Sequence, residues 1–251
     1  PNATQSWESC RYTGSEERDM IKDYIFPAFK KNNIQSKLLI WDHNKERLIY
    51  RAQEIFEDSN VKDMVAGIGY HYYSGDHFEN VRLFNEIYKD KLVIHTEGCT
   101  GYERFWFRKR RRRIPNAEIY AHDIMGDLNS GANGYIDWNM VLDYTGGPTH
   151  INNLCNAPII LNRKGNNYQK TLAYYYIGHF SRFIKPGAKR IAFSKYTSEI
   201  EVTSFINTDD SIVVVLLNRS NDSKKFNLCI NKKIYSQHIK AHSIITLVVK
   251  N

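Results

Sequence analysis

Glu97 closes the run Lys91-Leu92-Val93-Ile94-His95-Thr96-Glu97-Gly98-Cys99. A short apolar stretch of this kind reads as a buried strand that delivers a lone carboxylate at its C-terminal end, followed by a small, flexible glycine. Two similar stretches end in His71-Tyr72-Tyr73 and in Asp137-Trp138-Asn139. These residue types suit attack on a sugar carbon. Retaining glycoside cleavage needs two carboxyl groups roughly 5–5.5 Å apart, one attacking and one first giving and then taking a proton. Glu97 suits the attacking role, which requires it ionised and held by donors such as Tyr73. Trp138 offers a flat apolar wall for the C–H face of a sugar, and Asn139 and His71 can bind hydroxyls. Asp42 and Asp137 also stand at strand ends, where each serves equally well as a structural carboxylate at a barrel rim.

The elements that position these residues alternate strand and helix. Thr13 to Asn32 reads as helical, with Thr13 and Glu16 at capping-box spacing and Pro27 bending or ending it. Lys37 to Trp41 is a strand ending at Asp42. Glu46 to Asp58 is amphipathic, with Leu48, Ala52, Ile55 and Phe56 on one face. Then follow a strand over Val65–Tyr70, a helix over His77–Tyr88, the Glu97 strand, a helix over Ala117–Asn129, a strand over Gly134–Trp138 and a helix over Thr171–Phe183. Four β-then-α steps argue for a parallel sheet, because parallel neighbours need a crossover. They amount to half of an eight-stranded barrel, which leaves two sheet edges to be paired. Catalytic residues of such barrels sit at the C-terminal ends of the strands.

After Pro186-Gly187 the pattern changes. Arg190–Tyr196, Ile200–Ile206, Ile212–Leu217, Phe226–Ile230 and Ile244–Val249 are short strands between Asn-, Asp- and Ser-rich turns, the pattern of an antiparallel sandwich. The expected domains are therefore residues 1–187, a partial catalytic barrel, and residues 188–251, a β-sandwich.

Composition narrows the function classes. With 251 residues, 42% of them hydrophobic, the chain can bury a substantial core. No apolar run approaches the ~20 residues of a membrane span. No signal-peptide pattern precedes the first element, and the compartment stays open. Cys10, Cys99, Cys155 and Cys229 are far apart, without CxxC pairs or His at ligand spacing, so neither a zinc site nor a disulfide framework is expected. The basic character is local. Arg108-Lys109-Arg110-Arg111-Arg112-Arg113 carries six positive charges, and subtracting them from the net +8 leaves +2. Beside Phe105, Trp106 and Phe107 this run meets the loose description of a nucleic-acid patch. No recognisable binding module surrounds it, so it reads as an exposed loop and no nucleic-acid partner is expected.

Several strings in order carry a family resemblance. Gly69-Tyr70-His71-Tyr72-Tyr73, Thr96-Glu97-Gly98-Cys99 and Tyr135-Ile136-Asp137-Trp138-Asn139 are followed by Gly146-Gly147-Pro148 with Asn153 and Ala157-Pro158-Ile159-Ile160. Tyr176 to Gly187 and Ile212 to Ser220 continue the series. Together they resemble glycoside hydrolase family 30, the glucosylceramidase-like family. The resemblance implies a (β/α)8 TIM barrel, of which this chain holds strands five to eight, followed by an antiparallel β-sandwich. It implies Glu97 as nucleophile, with Tyr73, Trp138 and Asn153 lining the sugar site and His71 supporting the carboxylate. The substrate implied is a β-glucoside or related β-linked glycoside, with no metal or organic cofactor. In two places the chain departs from the family. The family's acid/base glutamate lies in an Asn-Glu-Pro motif, and Pro1 to Trp7 looks like the sequence just after it, so the proton donor and the N-terminal half of the barrel are expected to be absent and the isolated chain inactive. The run Phe107 to Arg113 stands where relatives carry an acidic or neutral loop. The rival readings are a non-catalytic fragment or binding module, and nucleic-acid binding through Arg108–Arg113.

Overall fold

The structure, a computed structural model, describes residues 9–100, 109–151 and 153–250, with backbone alone for 109–113. It divides into two compact units. One comprises Pro1–Gly98, Gly126–Trp138 and Thr149–Asn153; the other Cys99–Met125, Asn139–Pro148 and Leu154–Asn251.

The first unit opens with α1 (Gly14–Met20), a π turn (Ile21–Ile25) and α2 (Phe26–Lys31). The capping box forms as expected: Thr13 N–H donates to Glu16 Oε2 at 2.7 Å and Glu16 N–H to Thr13 Oγ1 at 3.1 Å. The helix passes through its π turn just before Pro27, which cannot supply a backbone N–H. Strands β1 (Leu39–Asn44), β2 (Gly67–His71), β3 (Leu92–Glu97) and β4 (Gly134–Tyr135) form one sheet in that order, all neighbours parallel. Helices α3 (Leu48–Phe56) and α4 (Phe78–Ile87) supply crossovers, and α5 (Lys109–Asn129), which precedes β4, belongs to the second unit as far as Met125 and to the first from Gly126. Leu48, Ala52, Ile55 and Phe56 of α3 are all buried, in a core with Ile40, Ile68, Val81, Phe84 and Val93. The four-residue stripe read from the sequence thus faces the sheet.

The second unit contains β5 (Val141–Leu142), β6 (Ile159–Leu161) and β7 (Tyr168–Lys170), then α6 (Leu172–Ser181). Beyond it come β8 (Lys189–Arg190), β9 (Glu201–Ile206), β10 (Ile212–Asn218), β11 (Lys224–Ile230), β12 (Lys233–Ile239) and β13 (Ser243–Val249). These form a sheet in the order β13-β10-β9-β8 and a β11-β12 hairpin, every pair antiparallel. Ile212, Val214 and Leu216 of β10 pack with Phe226, Leu228 and Ile230 of β11 and with Ile239 of β12, one face of each element meeting the other as in a sandwich.

Three expectations need correction, and one strand was missed. Lys109–Arg113 is not a loop but the start of α5, while Arg108 lies outside the described residues. Arginine and lysine are themselves good helix formers, and α5 begins at Lys109, eight residues before the start expected at Ala117. The strand expected over Arg190–Tyr196 is confined to Lys189–Arg190. β12 went unseen because its Lys, Tyr, Ser, Gln and His residues are largely exposed on both faces and carry no period-two signal.

Candidate active site

The C-terminal ends of β2 and β3 bring three side chains of different chemistry to one place. β3 ends on Glu97, β2 on His71, and the backbone just beyond β2 carries Tyr73. Tyr73 Oη donates to Glu97 Oε1 at 2.9 Å, and His71 Nε2 lies 3.7 Å from Glu97 Oε2. The Tyr73 ring meets the His71 ring edge-on at 6.0 Å. Burial raises the pKa of Glu97 above its ordinary value, while His71, then the Tyr73 hydroxyl, pull it back and Asp42 pushes it further up.

Asp42 is delivered by an irregularity. Trp41 pairs with Gly69 and His43 with Tyr70, so Asp42 is bulged out of the ladder. Trp41 and Asp42 have φ of 73° and 51°, left-handed conformations that cost non-glycine residues of order 1–3 kcal/mol each. Specific bonds hold them there. The Trp41 N–H donates to Glu17 Oε1 at 2.9 Å and its indole N–H to Asn44 O at 3.0 Å. Asp42 Oδ1 accepts from His71 Nε2 at 3.1 Å and from Thr96 Oγ1 at 2.6 Å. The bond from His71, followed by that from Thr96, holds the Asp42 carboxyl below the usual aspartate range against its own burial. Gly69 makes room for this: a Cβ there would stand 2.9 Å from Thr96 Cγ2 and 3.4 Å from Asp42 Oδ1.

Beneath the rim lies a charged network the sequence did not disclose. Lys45 Nζ donates to Asp127 Oδ1 at 2.8 Å, and His95 Nδ1 lies 2.8 Å from Asp127 Oδ2; all three residues are essentially excluded from solvent. The Lys45 ammonium also sits 4.6 Å from the Phe78 ring centroid. His95 is two residues from Glu97 on β3 and packs against Tyr135 at 4.5 Å. A Cβ on Gly98 would come within 2.8 Å of His95 Nε2. Any larger residue there would disturb the step that follows Glu97.

The remaining expected residues fall differently. Trp138 is half exposed, and its N–H donates to Gly98 O at 3.0 Å, tying the segment after β4 to the one after β3. Asp137 accepts from Tyr135 Oη at 3.0 Å, while its Oδ2 is buried without a hydrogen-bond partner; burial drives its pKa up to about 6. Asn153 is exposed, its N–H donating to Thr149 Oγ1 at 3.2 Å. Asn139 belongs to the second unit, its Nδ2 buried without a partner. Among the described residues of the first unit Glu97 has Tyr73 and His71 as its side-chain partners.

Comparison with known proteins gives this arrangement a context. The profile of the glycosyl hydrolase family 30 TIM-barrel domain matches residues 2–184, and that of the family 30 beta sandwich domain matches residues 187–247. Putative glucosylceramidase 4 of Caenorhabditis elegans is 30% identical over 97% of this chain and 49% of its own length. Lysosomal acid glucosylceramidase of Mus musculus is 29% identical over 84% of this chain and 42% of its own. The crystal structure of SrfJ from Salmonella typhimurium superposes with a TM-score of 0.95 at 30% identity, covering all of this chain and 56% of that one. The chain spans about half the length of the curated relatives it matches.

Proposed function

Because the chain belongs to glycosyl hydrolase family 30, we propose that Glu97 is the nucleophile of a retaining β-glycosidase acting on β-glucosides or related β-linked glycosides. The observation that carries this reading is the 2.9 Å bond from Tyr73 Oη to Glu97 Oε1 at the end of β3. A hydroxyl donor favours the ionised carboxylate and fixes one oxygen, leaving the other to form the ester with the anomeric carbon. Trp138, half exposed after β4, is the proposed sugar platform, and His71 steadies the nucleophile. Asn139 is assigned to a sugar hydroxyl on its residue type and place after β4, and Asn153 to the sugar site on the family resemblance alone. The glucosylceramidase relatives support a β-linked glucoside as the substrate class. The adjoining limits of the two family profiles support a domain boundary near residue 187.

The acid/base carboxylate is assigned outside the described residues. Asp42 is held ionised by His71 and Thr96, which makes it a poor proton donor. Asp137 is protonatable near pH 6, but its unpaired oxygen is buried. Leaving groups therefore divide the behaviour of this chain. A 2,4-dinitrophenyl β-glucoside, whose phenolate departs unprotonated, should give a burst of phenolate approaching one equivalent. Alkyl β-glucosides should give no detectable hydrolysis, since general-acid help is typically worth ~10²–10⁴-fold. Comparable turnover of both would mean that a carboxylate within the chain serves as acid and would overturn this assignment.

A further inference from the structure

His71 Nε2 is one donor between two carboxylates. It lies 3.1 Å from Asp42 Oδ1, within hydrogen-bond distance, and 3.7 Å from Glu97 Oε2, beyond it. An ionised carboxylate can only accept, so the bond to Asp42 puts the hydrogen on Nε2 and directs it away from Glu97. We propose that Asp42 is a positioning residue that holds the Nε2 hydrogen of His71 and withholds it from Glu97. Among the described residues Glu97 then keeps a single short donor, Tyr73, and one oxygen without a hydrogen bond.

Three independent features serve this placement of Asp42. The bulge takes it out of the β1–β2 ladder. Two consecutive left-handed residues aim it, a conformation maintained only where the surroundings over-determine it. Thr96, the residue before Glu97, anchors the same Oδ1 at 2.6 Å, so the carboxylate is tied to the strand whose last residue it serves. A carboxylate hydrogen-bonded by fewer donors is the stronger base and nucleophile.

The groups facing Glu97 are Asp42 from β1, His71 and Tyr73 from the end of β2, and His95 from β3. Replacing Asp42 by Asn removes the anion and weakens the competing acceptor, so His71 turns its hydrogen toward Glu97. Both changes favour the Glu97 carboxylate and lower its pKa. The inference rests on Glu97 being the nucleophile for its catalytic meaning, but the coupling itself is read without catalysis. With [5-¹³C]glutamate incorporated into the full chain and the Glu97 signal assigned by Glu97→Gln, the carboxyl resonance is titrated by NMR. The Asp42→Asn midpoint should fall by about one pH unit from the parent value. Asp42→Ser, which removes the same charge and the same carboxylate acceptor, should shift it in the same direction, and it serves where Asp42→Asn does not fold. An unchanged or raised midpoint overturns the inference. Covalent labelling by an activated fluoroglucoside separates the two claims: a lowered midpoint with labelling at another residue overturns the nucleophile assignment and leaves the Asp42 coupling standing, whereas an unmoved midpoint with Glu97 labelled does the reverse.

Discussion

The parallel sheet and the antiparallel strands obey backbone rules to different degrees. β10 runs in unbroken register against β9 on one side and β13 on the other, and the β11–β12 hairpin is equally regular. Positive φ among those strands is confined to connections: Asp210 before β10, Asn231 and Lys232 in the two-residue hairpin turn, and His242 before β13. Asn231-Lys232 is a turn whose twist matches its strands. In the parallel sheet the register slips between β1 and β2 and again between β2 and β3. There Trp41 and Asp42 are left-handed inside a strand. The first unit encloses Lys45, Asp127 and His95 together, and the second buries Glu118 and Asp123. Local rules are broken where side chains are aimed at a common point, and kept where a core is merely filled.

Substitutions can separate aiming from filling. The largest effect should come from Glu97→Gln, which nearly preserves shape while removing the attacking group: labelling by activated fluoroglucosides should fall by several orders of magnitude, with the thermal midpoint almost unmoved. A large loss of stability instead would make Glu97 a structural carboxylate. Next in size, Asp127→Ala removes the buried carboxylate that is bonded to both the Lys45 ammonium and the His95 ring and should cost about 3–5 kcal/mol in urea unfolding. A cost below about 1 kcal/mol would show that the lysine finds water or another partner. Leu217→Ala, in fully buried β10, should cost about 2–5 kcal/mol yet leave the labelling rate of the folded chain unchanged. Loss of labelling there would erase the distinction between the two regions.

Asp137 offers a subtler test through pH. Its folded pKa of about 6 lies above the ordinary aspartate value, so the folded state holds the proton more tightly. Stability contributed by this group is full below about pH 4 and is lost as pH rises toward about 6. Asp137→Asn, which can still accept from Tyr135 Oη, should flatten that decline in denaturation curves taken between those pH values. An unaltered slope would assign the decline to other groups. Smallest of all should be the effect of replacing Lys109–Arg113 by glutamines: within about 0.5 kcal/mol of the parent stability and no change in labelling.

The legible parts of the sequence were those with a local signal. The α3 stripe follows from helical spacing, the capping box from Thr13 and Glu16, and β3 with its terminal Glu97 from a short apolar run closed by glycine. The Tyr73 contact was foreseen because hydroxyl donors suit a carboxylate that must stay ionised. What stayed hidden depends on contacts between distant segments. Lys45 and Asp127 are 82 positions apart, and His95 and Asp127 are 32 apart, and none carries a pattern that marks it as buried. The role of Asp42 depends on a bulge, and the strand was expected to stop one residue short of it. β5, β6 and β7 are only two or three residues long, too short for any alternation to register.

The central claim is that Glu97 forms the glycosyl ester. The most direct measurement is peptide mapping by mass spectrometry after incubation with 2,4-dinitrophenyl 2-deoxy-2-fluoro-β-glucoside, whose departing phenolate needs no proton and whose ester is slow to hydrolyse. The label should reside on Glu97 alone. Because only the ionised carboxylate attacks, the labelling rate should rise with pH through a midpoint above the ordinary glutamate value. A label on any peptide lacking Glu97, or equal labelling of the Glu97→Gln chain, would contradict the account.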